Sequence, residues 1–257
     1  MPGCWGWVSQ YYWRGRGFRE KLIAHRRLLG AEKYVYQSHR ALLGESLWAK
    51  LLELAPEQRR PARSVLLRQG DPGTHVMALH TGSVMITIRT EQGKQTLISV
   101  RAAGEVLGDL AVLDGRPRTA TVIAAEACRV HAVPAPEFLQ FVDKHALYGT
   151  LLRQSIGRLR AAERINIELA TAPVAVRLAC ALVRLAAMSS TQSRSTPHII
   201  LIQEELAQLV GASRNAVGSA LKVWRDHGWV RTAPGGGVYL ENLEALRAQA
   251  RVLPHRD

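Results

Sequence analysis

The period of the hydrophobic pattern changes twice along this chain, and those changes limit what it can fold into. Between residues 64 and 133 apolar and polar residues alternate, in strand-length runs over 64–68, 75–80, 83–89, 95–101, 119–124 and 128–133. Turn-forming residues separate the runs: Gly70-Asp71-Pro72-Gly73, Thr81-Gly82, Glu91-Gln92-Gly93-Lys94 and Gly104. Many short antiparallel strands in one run imply a closed barrel or jelly roll. A short helix over 47–54, ended by Pro56, precedes them. From about 136 to 169 the spacing becomes helical. Thr171 is then expected to cap a new helix with Pro173 in its first turn. That helix runs to about 188 with Val176, Leu178, Ala179, Leu182, Val183 and Leu185 inward, and a polar loop over 189–198 and a short strand over 199–202 follow.

The last third reads as helix, tight turn, helix. Leu206, Leu209 and Val210 form one apolar face, and Gly211 stands where the chain must take positive φ to turn. Ser213 is placed to cap the second helix, which returns Val217, Ala220, Leu221 and Trp224 to the core. Arg214, Asn215, Ser219 and Lys222 are left on its outer face, residue types that read base edges and phosphates in a DNA major groove. Residues 229–232, the glycine-rich 233–237 and then 238–240 read as a strand-turn-strand wing.

Within the long helical stretch, Leu152, Leu159 and Asn166 lie seven apart, with Tyr148, Ser155, Ala162 and Leu169 as the companion seam. Sustained heptad spacing predicts a helix that pairs with its twin. Ile156, Ile165 and Ile167 offer a second apolar face that could pack on the chain's own barrel.

The net charge of +13 suits a polyanionic partner. It divides as +6 over residues 1–40, +3 over 41–172 and +4 over 173–257. Residues 1–40, rich in Trp, Tyr, Arg and Gly, are expected to form a poorly ordered extension, although Arg14-Gly15-Arg16-Gly17 is of the kind that binds RNA loosely. Cys4, Cys128 and Cys180 are too scattered for a disulfide framework or a zinc set. With no membrane-length apolar run and no secretion-signal pattern, the expectation is a cytoplasmic protein with no membrane partner.

The sharpest motif of the N-terminal half is Gly108-Asp109-Leu110, followed by Arg118-Thr119-Ala120. A glycine and a carboxylate at the start of a short helix, with an Arg-Thr pair beyond, make a grip for phosphate and sugar. Arg118 supplies a charged fork, Thr119 a hydroxyl, and Asp109 an acceptor for a ribose hydroxyl. No residues are disposed for catalysis, so the site is expected to sense rather than cut, with no metal and no cofactor.

From about Leu47 to Leu243 the chain resembles the CRP/FNR family of transcription regulators. The family's cassette, Gly-Glu-Leu then Arg-Ser/Thr/Ala-Ala, is kept at Gly108, Leu110, Arg118, Thr119 and Ala120, with Asp109 in place of the Glu. The resemblance implies an α+β fold: a β-roll (jelly-roll) cyclic-nucleotide-binding-like domain over 41–143, a dimerisation helix over 144–171 and a winged helix-turn-helix over 172–257. It also implies double-stranded DNA, a second copy of the chain and RNA polymerase as partners. The effector would be cyclic AMP or another cyclic nucleotide.

The family's cyclic-AMP-binding members hold the base with a Thr-Ser pair, which falls here on Ala162 and Glu163. A different nucleotide, or a pocket left vestigial in a constitutive regulator, therefore stays open beside cyclic AMP. The scattered cysteines speak against a redox or gas sensor of the same fold. Ser213, Arg214, Asn215, Val217, Gly218 and Lys222 fall on the family's DNA-recognition helix, where Arg214 matches its guanine-reading arginine. Asn215 and Ser219 replace its Glu and Arg, which implies an altered half-site.

Overall fold

The computed structural model describes residues 37–188, 196–234 and 236–251. The arginine-glycine run, Cys4 and most of the loop expected over 189–198 lie outside the described residues. Helix α1 (His39–Glu53) is kinked at Gly44, and its Trp48 and Leu51 are buried. It begins eight residues before the helix expected from 47, so residues 39–40 belong to it rather than to the extension. Strands β1 (Glu57–Arg60), β2 (Val65–Leu67), β3 (His75–Thr81), β4 (Ser83–Arg89), β5 (Gln95–Ala102) and β6 (Val106–Leu107) follow. The short helix α2 (Asp109–Asp114) then leads to β7 (Thr121–Ala124) and β8 (Cys128–Pro134). These strands form two four-stranded antiparallel sheets, β1-β8-β3-β6 and β2-β7-β4-β5, the two layers of a jelly roll.

Two strands escaped the pattern for physical reasons. β1 is Glu-Gln-Arg-Arg at a sheet edge, where charge protects unpaired backbone rather than marking a core. β6 has two residues, too few to show a period. The stretch expected as one helix is two, α3 (Ala135–Lys144) and α4 (Tyr148–Thr171), broken where Ala146 takes φ of 52°. Alanine rarely adopts that left-handed backbone, so the break left no glycine or proline to announce it.

Thr171 also departs from expectation. Its hydroxyl donates to Ile167 O at 2.8 Å, back along α4, and does not cap the next helix. Ala172 is extended before Pro173, as a residue preceding proline prefers. The next helix, α5 (Val174–Met188), buries all six residues expected inward. A bidentate ion pair from Arg184 to Glu168, at 2.7 and 3.1 Å, holds it against the end of α4.

The C-terminal module comprises β9 (His198–Ile199), α6 (Gln203–Leu209), α7 (Arg214–Asp226), β10 (Val230–Thr232), β11 (Val238–Leu240) and α8 (Leu243–Ala250). Its small sheet has the order β10-β11-β9. This module does not stand apart from the roll. Met85, Leu97, Val100 and Ala125 of the roll share one buried cluster with Leu182, Leu206, Val217, Leu221 and Trp224. At its margin, the exposed edge of β5 is capped where Leu97 N–H donates to Gln208 Oε1 at 2.8 Å. Arg63, in the loop after β1, pairs with Glu205 of α6. None of the helices among the described residues is long and apolar enough to cross a membrane.

Candidate functional site

The cassette is built around a glycine that has to be one. Gly108 takes φ of +77°, and a Cβ there would lie 2.1 Å from Nη1 of Arg118. The Arg118 guanidinium lies against that backbone, buried to 5% exposure. Its Nη2 donates to His75 O at 2.7 Å, and Nη1 lies 3.5 Å from Gly108 O. Burial lowers its pKa while nearby Asp71 opposes the shift, and an arginine remains charged under either influence. Thr119 and Leu110 are exposed. Gly108 and Arg118 thus meet, with Asp109 and Thr119 next to them in the chain.

Asp109 is not free to wait for a sugar. It is 2% exposed, ion-paired to Arg158 of α4, and lies 3.5 Å from Nε2 of His39 in α1. Burial alone would raise its pKa, but His39 and Arg158 together hold it well below the usual carboxylate range. His39 Nδ1 lies 2.7 Å from Glu105 Oε2, which also accepts from Gln154 Nε2 of α4 at 3.1 Å. His39, Glu105, Gln154 and Arg158 were not singled out in the sequence. Their positions are 39, 105, 154 and 158, and only the fold brings them together.

On α4, Tyr148, Leu152 and Leu159 are exposed, the two leucines at 60%. Ala162 and Asn166 are exposed as well, while Ser155 and Leu169 are half-buried. The second apolar face does not pack on the roll: Ile156 and Ile167 are exposed and Ile165 is half-buried. The residues that α4 buries are Leu151, Gln154 and Glu168. Ala162 and Glu163 are exposed.

The helix-turn-helix forms as the sequence implied. Gly211 turns at φ of 58°, and Arg177 Nη1 donates to its carbonyl at 3.3 Å and to Leu169 O at 3.4 Å. Ser213 Oγ accepts from Ala216 N–H at 3.2 Å, capping α7. Val217, Leu221 and Trp224 are buried, and Arg214, Asn215, Ser219 and Lys222 are exposed. Ser219 Oγ donates to Asn215 O at 3.0 Å, which leaves its lone pairs as acceptors toward a groove. In the wing, the Arg231 guanidinium lies 4.2 Å from the Tyr239 ring centre.

A cleft of about 530 Å³ opens elsewhere, between the roll and the C-terminal module, with Ser83, Glu126, Leu185, His198 and Leu201 in its wall. It involves no cassette residue. Cys128 and Cys180 are buried free thiols, pushed up by burial to about 11 and about 12, so neither favours the thiolate form.

A jelly roll followed by a long helix and a winged helix-turn-helix is the architecture of a DNA-binding regulator. The chain matches the Cyclic nucleotide-binding domain family over residues 57–145 and the Crp-like helix-turn-helix domain family over residues 176–249. It is 29% identical over 194 residues to the CRP-like cAMP-activated global transcriptional regulator of Mycobacterium tuberculosis, covering 74% of this chain and 86% of that protein. It is 30% identical over 169 residues to the cAMP-activated global transcriptional regulator CRP of Salmonella typhimurium, covering 65% of this chain and 80% of that protein. Its fold superposes on a CRP/FNR-family transcriptional regulator of Thermus thermophilus with a TM-score of 0.61 and 24% identity, covering 77% of this chain and all of that one. The chain belongs to the CRP/FNR family of transcription regulators, a family of DNA-binding proteins rather than enzymes, and carries a cyclic nucleotide-binding domain.

The buried network makes stability depend on pH. Burial would lower the pKa of His39, but the carboxylates of Asp109 and Glu105 raise it overall. A raised histidine contributes stability that is complete below its unfolded pKa of about 6.5 and lost as pH rises through the higher folded value. The depressed pKa of Asp109 acts oppositely, since its contribution is lost only in strong acid. The unfolding free energy of wild type relative to His39→Gln is therefore expected to fall between pH 6 and pH 9 in urea titrations. A difference that stays constant over that range would mean that His39 is not charged in the folded protein.

Proposed function

We propose that the protein is a homodimeric, effector-responsive transcription regulator that binds a pseudo-palindromic operator. The observation that carries this reading is the pair of unpartnered helix faces: the apolar stripe of α4 and the polar outer face of α7. Tyr148, Leu152, Ile156, Leu159 and Ile167 are exposed on a 24-residue helix, more apolar surface than a lone surface helix normally presents. Two copies joined along that seam would present two α7 helices, whose Arg214, Asn215, Ser219 and Lys222 suit a groove and its phosphates. Regulation would then run through contact with RNA polymerase at the bound promoter.

For the effector, the phosphate grip at Gly108, Arg118 and Thr119 supports a cyclic nucleotide, as do relatives named as cAMP-activated. Ala162 offers no hydrogen bond to a base, and Asp109 is already paired by Arg158 and His39. Those two features support weak binding with little base selectivity. They also keep a second reading in play, a constitutive regulator whose cassette is vestigial.

Three measurements test this. In sedimentation, wild type should be a dimer at micromolar concentration, and Leu152→Glu with Leu159→Glu a monomer, because buried unpaired charges on a seam cost several kcal/mol. A monomeric wild type would remove the dimer reading.

On an operator selected from a random duplex pool, Arg214→Ala should cost about 1–3 kcal/mol and relax choice at one base, whereas Lys222→Ala should weaken all sequences alike. Equal, sequence-independent losses would reduce Arg214 to a phosphate contact.

In calorimetry, cyclic AMP and cyclic GMP should bind weakly with less than about tenfold discrimination, under roughly 1.4 kcal/mol, and Arg118→Ala should abolish both. Tight, selective cyclic-AMP binding would overturn the weak-effector reading. DNA binding indifferent to Arg118→Ala would favour the constitutive one.

A further inference from the structure

Three neighbouring strands of the roll bring a carboxylate and two imidazoles together, none of them a residue of the cassette or of α7. In the order β1-β8-β3, Glu57 of β1 is the direct cross-strand partner of His131 in β8. His80 lies in β3 at the register shift between Leu79 and Thr81, two residues beyond Ala78, the other cross-strand partner of His131. One ligand atom from each of the three lies within 4.8 Å of the others. His80 Nδ1 is 3.2 Å from Glu57 Oε2, and the two imidazole rings are 5.8 Å apart between centres.

The buried member of the set points to a ligand. His131 is 9% exposed, and its Nδ1 pairs with the Ala55 carbonyl at 2.8 Å. That bond requires a proton on Nδ1, which leaves the Nε2 lone pair as the available ligand atom. A backbone carbonyl that fixes the tautomer in this way is how metal-binding histidines are commonly oriented. Nε2 is buried and has no hydrogen-bond partner. A buried polar atom left unpaired is destabilising, so a partner there would be stabilising.

We propose that Glu57, His80 and His131 form a site for a divalent first-row transition ion, with zinc the best match to two imidazoles and a carboxylate. Ligands around a tetrahedral zinc lie about 3.4 Å apart, given bonds of about 2.0–2.1 Å. The set must therefore tighten. Glu57 and His80 are about a third exposed, with side chains at 32% and 39%, and have room to rotate toward the fixed His131. Arg129 Nη1, 3.7 Å from Glu57 Oε1, is the competing cation, and at 49% exposure it can swing out to solvent. A fourth position facing solvent would take water. Such an ion would tie the polar edge strand β1 to β8 and β3, a few residues before Arg63 meets Glu205 of α6.

The test uses the full, tag-free chain stripped of metal with a chelator and titrated with Zn²⁺ alone. Calorimetry should give one tight equivalent, and Co²⁺ in its place should give the visible absorption of a low-symmetry nitrogen and oxygen site. His80→Ala and Glu57→Gln change exposed side chains and should leave the metal-free melting temperature near that of wild type. Each should weaken Zn²⁺ by more than about tenfold and remove the Co²⁺ band, since even outer-shell changes cost that much. Absence of stoichiometric Zn²⁺ uptake by wild type at micromolar concentration would overturn the proposal. Unchanged Zn²⁺ binding by both variants would overturn it too, by putting the ion elsewhere in the chain.

Discussion

A carboxylate at 2% exposure beneath a β-roll has to be compensated by charge, or it will be protonated or left unformed. Asp109 is compensated twice, by Arg158 from the long helix and by His39 from the helix that opens the described chain. Glu105 and Gln154 extend the same network. Three elements distant in sequence thus meet at one residue of the cassette. Any ligand that engages Asp109 must do so at the expense of a contact that also positions α4. A ligand at this carboxylate would therefore be physically coupled, through Arg158, to the placement of α4.

The same economy recurs between the modules. Packing Leu97 and Val100 of the roll against Leu206 and Trp224 of the C-terminal module leaves the helix-turn-helix with a fixed neighbour. Gln208 closes the edge of β5, and Arg63 reaches Glu205. Beneath the turn, Arg177 binds carbonyls at Leu169 and Gly211, joining the end of α4 to the bend before α7. These contacts give a displacement of α4 a mechanical route to α7. The route runs through backbone carbonyls that Arg177 holds on both sides.

Elements with strong periodicity were legible in the sequence. The run over 83–89 and the helix from Val174 to Met188 were read with the bounds that the structure gives. Gly211 and Ser213 carried the helix-turn-helix because a positive φ and a cap each demand particular residue types. What stayed hidden lacked such a demand. β1 is a charged edge strand, Ala146 takes a glycine-like φ without being glycine, and Thr171 spends its hydroxyl on the preceding turn. The cassette's composition was legible, but its wiring was not, since His39 and Arg158 lie 70 and 49 positions from Asp109. The Glu57, His80 and His131 cluster was hidden in the same way, with sheet register rather than sequence spacing setting its geometry.

How strongly an effector can act follows from what it must displace. A ligand shifts a two-state equilibrium only by its difference in affinity for the two states, and reversing 1:99 to 99:1 takes about 5.5 kcal/mol. In this conformation Arg118 is held by the His75 carbonyl and Asp109 by two cations. A ligand that merely substitutes for those partners gains little over the protein's own contacts. A large response would need a state in which the ligand makes bonds that the empty protein leaves unmade. Ala162 and Glu163 stand exposed on α4, where a second copy would bring its own α4 alongside. A base reaching that seam would bind two chains at once, and its affinity would then depend on how the pair is aligned. If α4 pairs with a second copy as proposed, that seam, more than the cassette, is where differential affinity would arise.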